Sequence, residues 1–251
     1  NHTRPWSSAA SDVYKRQHMQ RNLTHQLVHD LGLAIVQGSY AVGAALPSEA
    51  EICKQFGVSR SATREAVKML AAKGLLTSRP RQGIRVLPEA RWNMFDTEVL
   101  GWLLKSRPSL DLLLEFSQMR QGVEPSAAAL AAKNATPEAI ADIEAALQRM
   151  ADAEAGFDDA LESDIVFHTS ILVASGNRFY VQMSAFVETA LRVSIRFTNA
   201  MKGVTTADVR AHADIYNAIR KHNPKLARRK VEVLLDESIE LIEKGRAREA
   251  D

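Results

Sequence analysis

Asp164 and His168 stand four residues apart, and His212 follows further along the chain. On a helix, positions i and i+4 project from one face. Ile171 extends that face, so the pair points inward. His212 shares a stripe with Ile215, Tyr216 and Ile219 and also faces a core. A carboxylate and two imidazoles converging inside a helical bundle can hold a divalent transition metal of the zinc or nickel/manganese kind. The same spacing equally suits a hydrogen-bonded polar pair in an apolar core, and the residues alone leave both readings open. Arg120 interrupts the apolar side of another helical segment. A buried guanidinium needs an anion, either an internal carboxylate such as Glu124 or a bound acid. Asn177 offers a neutral donor and acceptor, and Arg192 a further cation, four residues before Arg196. Donors of this kind around a cation site fit a small, oxygen-rich anion. A metal bound here would take Asp164, His168 and His212 as its ligands, and an acidic effector would meet Arg120, Asn177 and Arg192.

A second group suits a different polyanion. Arg60 and Arg64 sit four apart near the start of a predicted helix, with Ser59, Ser61 and Thr63 around them. Guanidinium groups pair bidentately with guanine or clamp phosphates, and hydroxyls reach phosphate or base edges. Arg81, Gln82 and Gly83 fall at the tip of a predicted hairpin beyond the end of that helix. These eight residues are the expected DNA contacts.

The elements that must position both groups follow from periodicity and stop signals. Leu27, Leu31, Ala34 and Ile35 give a first helix over Leu23–Gln37, ended by Gly38. Ser48 and Glu51 form a capping box, so a second helix runs to Phe56 and closes on Gly57. Ser59 opens a third, to about Lys73, ended by Gly74. Two short helices joined by a glycine turn make a helix-turn-helix. Leu75–Ser78 and Ile84–Leu87 then read as two strands around a basic tip. From Asp96 onward the pattern is helical throughout, with breaks at Pro108, residues 134–137, Gly156, residues 175–177, Gly203 and residues 223–224. The expected helices are Glu98–Lys105, Leu110–Ala132, Pro137–Ala155, Phe157–Ser175, Arg178–Ala200, Thr206–Lys221 and Lys225–Gly245. The fold class is mainly α: an N-terminal winged helix-turn-helix (α+β) domain over 19–88, a linker over 89–97, and an all-α antiparallel bundle over 98–246.

Composition agrees with this division. The 251 residues carry a net charge of +2, unevenly spread. Met19–Pro88 holds nine Lys/Arg against four Asp/Glu, whereas Glu89–Asp251 holds 20 against 25. A basic domain joined to an acidic one suggests that only the first meets a polyanion. The single cysteine, Cys53, excludes an intramolecular disulfide and fits a reducing cytoplasm. No run approaches the roughly 18–20 apolar residues of a membrane helix. Residues 1–18 lack apolar periodicity, and His18-Met19 reads as a vector junction before an initiator, so this stretch is expected to be a vector-derived or unstructured leader.

Leu46-Pro47-Ser48-Glu49, Phe56-Gly57-Val58-Ser59-Arg60, Arg64-Glu65-Ala66-Val67, Leu70 and Gly74 are ordered and gapless, and they resemble the winged-helix domain of GntR-type bacterial regulators. The resemblance implies operator contacts at Arg60, Arg64 and Gln82-Gly83. Many relatives place a basic residue after the glutamate of the Leu-Pro-x-Glu motif, where this chain has Ala50. The helical half resembles the FCD effector domain of the FadR branch, through Arg120-x-x-x-Glu124-Pro125, Asp164-x-x-x-His168, Ser175-Gly176-Asn177 and His212-x-x-Ile215-x-x-x-Ile219. That resemblance implies metal binding, with a fourth ligand at position 234; this chain has Leu234 there. Trp92-Asn93, Asp96, Glu98-Val99-Leu100 and Trp102 resemble the linker of the galactonate-operon repressor group, which implies a sugar acid as effector.

The resulting expectation is a cytoplasmic homodimeric repressor on a palindromic operator in double-stranded DNA, released by a small carboxylate. A rival from another class is a metal-dependent hydrolase built on Asp164, His168 and His212. It lacks an obvious general base and leaves the basic half without a role.

Overall fold

The computed structural model describes residues 23–250; the expected leader, residues 1–18, lies outside them. The chain divides into two compact units, one ending at Arg107 and the other beginning at Pro108.

The first unit opens with α1 (residues 23–36), whose Leu27, Val28, Leu31 and Ile35 are buried. Helix α2 (Glu49–Phe56) begins at the expected capping box, with both the Ser48 and Glu51 bonds formed, and ends on Gly57 in the left-handed region. Helix α3 (Arg60–Ala72) is capped by Ser59 and buries Ala62, Thr63, Ala66, Val67 and Leu70. The hairpin follows as β1 (Leu76–Arg79) and β2 (Gly83–Val86), antiparallel, with Leu76 opposite Val86 and Arg79 opposite Gly83. Ala45 bridges to Arg85 on the other edge of β2. Alternation along β2 puts Ile84 and Val86 inward and Arg85 outward. Helix-helix-helix-hairpin is the winged-helix arrangement the periodicity predicts.

Helix α4 (Thr97–Ser106) departs from the expected boundaries. The sequence reading gives 89–97 to a linker and 98–246 to the helical domain, but α4 belongs to the first unit. Its Trp102 is buried and donates from Nε1 to His29 Nδ1 at 3.0 Å. Gly32 makes room for this ring: a Cβ added there would come within 2.3 Å of it. Lys73, at the end of α3, meets Asp96 and Glu98 at the start of α4, both at 2.7 Å. An amphipathic helix joins the apolar surface it packs on, and Trp102 with the Lys73 clamp ties this one to α1 and α3.

The second unit is a bundle of α5 (Leu110–Asn134), α6 (Pro137–Glu154), α7 (Ala160–Ala174), α8 (Arg178–Lys202), α9 (Val209–Arg220) and α10 (Pro224–Ala250). Helix α5 packs along α10, α6 along α7, and α9 against both α6 and α10. Ala128, Ala131 and Ala132 of α5 lie in the core beside Phe167, Ile171, Ile215, Ile219, Val231 and Leu235. Small side chains on α5 allow its close approach to its neighbours. Two helices start later than expected because aspartates cap them: Asp159 accepts from Leu161 and Glu162, and Asp208 from Arg210 and Ala211. Helix α10 runs past Gly245, which lies against Leu110 and Phe197 instead of ending it.

Candidate functional site

Asp164 and His168 lie one turn apart on α7, and His212 lies in the first turn of α9. All three are buried, and their ligating atoms lie within 4.8 Å of one another. This is the convergence the spacing predicts. The hydrogen bonds around the cluster fix which nitrogens carry protons. His212 Nδ1 lies 2.7 Å from the Asp208 carbonyl, which can only accept, so Nδ1 carries the hydrogen. His168 Nδ1 lies 2.9 Å from Glu124 Oε2 and donates to that carboxylate. The two Nε2 atoms then face Asp164 Oδ1, at 3.4 Å from His168 and 3.3 Å from His212.

In neutral rings, both Nε2 atoms present lone pairs to a carboxylate oxygen. Asp164 Oδ1 and His212 Nε2 are buried without a hydrogen-bond partner. Three converging lone pairs are unfavourable unless a proton or a cation stands among them. The donor set therefore fits a divalent metal ion, with Glu124 orienting one imidazole and a backbone carbonyl the other. The alternative occupant is a proton. Burial opposes charge on His168, but Glu124 and Asp164 outweigh it and push this imidazole up to about 9. Asp164 is held far below the usual carboxylate range: burial works against it, and the two histidines prevail.

Arg120 on α5 is 4% exposed and spends Nε and Nη2 on Glu124, at 2.6 and 3.2 Å. Of the two partners open to it in the sequence, the structure contains the internal carboxylate. Glu124 thus serves Arg120 and His168 together. Its carboxyl lies at about 2: burial would raise it, and the two cationic neighbours reverse that. The link from Glu124 to His168 escapes sequence reasoning because it joins separate helices.

The cluster lines a cavity of about 560 Å³. Arg120, Asp164, His168 and His212 line it, together with Ser194, Thr198, Asn199, Lys202 and Arg210. Leu234 and Leu235 of α10 supply an apolar side, so Leu234 lies in the cavity without offering a donor. Two expected effector contacts are elsewhere. Asn177 caps α8, its side chain accepting from Phe179 N. Arg192 pairs with Glu162 and Glu188. Neither lines the cavity. On α8 the polar positions lining the cavity are Ser194, Thr198, Asn199 and Lys202, and the first two are buried on the face that carries Leu191 and Ile195. The i, i+4 spacing that draws attention to Arg192 and Arg196 marks a different face of the same helix.

On the first unit, Ser59, Arg60, Ser61 and Arg64 are exposed at the start of α3, and Arg81, Gln82 and Gly83 are exposed at the hairpin tip. Arg81 and Gly83 both take positive φ there, at 66° and 72°. Thr63, expected among the DNA contacts, faces the interior of the unit. It is fully buried, with Oγ1 bonded to the Ser59 carbonyl and 3.1 Å from Cys53 Sγ. One helical turn before Val67, it falls on the inward stripe and is no DNA contact.

A winged helix-turn-helix with exposed cations on its third helix, joined to a helical bundle with a buried polar cavity, defines a ligand-responsive DNA-binding transcription regulator. The chain belongs to the GntR family of bacterial regulatory proteins, whose model matches residues 23–86, and carries an FCD domain over residues 115–237. It is 34% identical over 218 residues to YieP, an uncharacterised HTH-type transcriptional regulator of Escherichia coli, covering 86% of this chain and 94% of that one. It is also 34% identical over 203 residues to the galactonate operon transcriptional repressor of the same species, covering 80% and 89%. Among solved structures it is similar in fold to Lar of Listeria monocytogenes, with 18% identity, a TM-score of 0.55 and coverage of 87% and 96%. The hydrolase reading finds no support in this family, whose members are transcription regulators. Among the described residues, no helix is long and apolar enough to cross a membrane.

Proposed function

We propose that the protein is a homodimeric repressor of a palindromic operator, released when a small sugar acid enters the cavity of the helical unit. The observation that carries this reading is the convergence of Asp164, His168 and His212 on the wall of a cavity that Arg120 also lines. A divalent transition metal held by those three side chains would supply Lewis-acid coordination for carboxylate and hydroxyl oxygens. Arg120, with Nη1 left over from its Glu124 bonds, meets a ligand carboxylate. Ser194, Thr198 and Asn199 suit hydroxyls along a polyol chain, and Lys202 and Arg210 add positive charge. The similarity to the galactonate operon repressor favours a sugar acid within this class. Ser59, Arg60, Ser61, Arg64, Arg81, Gln82 and Gly83 contact the operator, and two-fold symmetry matches two half-sites one helical turn apart.

Thermal melting against a panel of sugar acids, with the matching neutral sugars as controls, tests the reading. A ligand at about 100 times its Kd adds roughly 2.7 kcal/mol, a rise of about 5–10 °C for a chain of this size. The rise is expected with one or a few sugar acids, to vanish on chelation, and to return with added metal. A flat panel in metal-loaded protein sinks the sugar-acid assignment.

A further inference from the structure

Arg60 and Arg64 lie one turn apart on α3, and the structure treats them differently. Arg64 Nε donates to Glu49 Oε2 at 2.8 Å, while its side chain stays 67% exposed. Among the described residues, Arg60 has no carboxylate at ion-pair distance. A guanidinium held by Nε keeps both Nη groups free, and these form the fork that pairs with the O6 and N7 of guanine. The base of the brace is rigid. Glu49 is the first residue of α2, fixed by the Ser48–Glu51 capping box. One turn on, Cys53 packs on Thr63 of α3, next to Arg64.

We propose that Glu49 is a specificity-determining positioning residue, which orients the Arg64 guanidinium to read one base pair in each half-site. This rests on the reading of α3 as the base-reading helix. An unbraced arginine must lose its rotamer freedom on binding and adapts equally to phosphate or base. The braced one presents a single geometry. Glu49 also sets a negative charge beside the phosphates, which disfavours complexes where Arg64 fails to meet its base. Both effects act on discrimination between sequences more than on total affinity. An exposed ion pair of this kind contributes little to folding, so the role is separable from stability.

The test is selection of binding sites from a random-sequence DNA duplex library. It compares wild type, Glu49→Gln, Glu49→Ala, Arg64→Ala and the Glu49→Ala/Arg64→Ala double variant. A single bidentate pair gives about a 5- to 100-fold preference. In Glu49→Ala that preference is expected to fall most of the way to none at one position per half-site. Affinity for non-selected duplex should be unchanged or higher, which also reports a folded protein. The Glu49 effect is expected to disappear in the Arg64→Ala background. Identical consensus and mismatch penalties in wild type and both Glu49 variants would overturn the proposal, as would a Glu49 effect that persists without Arg64. If Arg64→Ala alone leaves the consensus intact, the assignment of α3 fails and this inference falls with it.

Discussion

Glu124→Ala is expected to lower the unfolding free energy by about 3–5 kcal/mol, a fall in Tm of roughly 10 °C or more for a chain of this length. The carboxylate accepts from Arg120 at 2.6 Å and from His168 at 2.9 Å, and all three side chains are nearly inaccessible to water. Removing it strands a buried guanidinium, whose charge no proton loss can relieve. Glu124→Gln keeps the volume and one acceptor and is expected to cost less. Both variants also release His168 from its orienting partner, so metal affinity is expected to fall about 10- to 100-fold. An unchanged Tm in Glu124→Ala would mean that Arg120 finds another anion, and that the network does not support the bundle.

The same network sets a pH dependence whose two limbs have opposite origins. Glu124 lies at about 2, below its ordinary 4.5. Its contribution is therefore complete above 4.5 and lost as pH falls toward 2. His168 is displaced the other way, from 6.5 up to about 9. Its contribution is complete below 6.5 and disappears as pH climbs to 9. Chelator-treated protein should accordingly be most stable between about pH 4.5 and 6.5 and lose roughly 3 kcal/mol by pH 9. Added metal should oppose the alkaline decline, since ligand nitrogens must be deprotonated to coordinate. An alkaline limb equally steep in His168→Gln would assign the titration to another group.

Much of this arrangement is legible from local signals. Capping residues mark helix starts: Ser48, Ser59 and Thr136 cap as their types suggest, whereas Asp159 and Asp208 cap two helices whose apolar pattern begins before them. The Asp164–His168 pair is equally local, because one helix turn places both on one face. The assignment of α4 needs tertiary information. Trp102 and the Asp96/Glu98 pair read equally well as the start of a helical domain, until Gly32 and Lys73 prove to be their partners. Thr63 shows a finer limit. A threonine two residues from an exposed serine on an amphipathic helix can face either way, and here Cys53 and the Ser59 carbonyl take its hydroxyl. Arg192 fails for the complementary reason: cations at helical spacing are often paired on the surface, and Glu162 and Glu188 lie within its reach.

The exposed arginines of α3 give the second large effect. Arg60→Ala and Arg64→Ala are each expected to cost about 1–3 kcal/mol per half-site. On a two-fold operator each change counts twice, roughly 2–6 kcal/mol, or a 30- to 10⁴-fold loss of affinity at fixed salt. The two should differ in kind. Arg64, braced by Glu49, should lose discrimination at one base pair, whereas Arg60 should weaken binding more evenly across sequences. Arg81→Ala at the hairpin tip should cost less and reduce the slope of log affinity against log salt by about one per subunit. Thr63→Val is the internal control. Its side chain is sealed between α2 and α3, so the substitution acts on stability through the lost Cys53 and Ser59 contacts and leaves operator affinity within about two-fold, well inside one base contact. Wild-type affinity in both arginine variants at matched salt would remove α3 from the interface and turn attention to the hairpin.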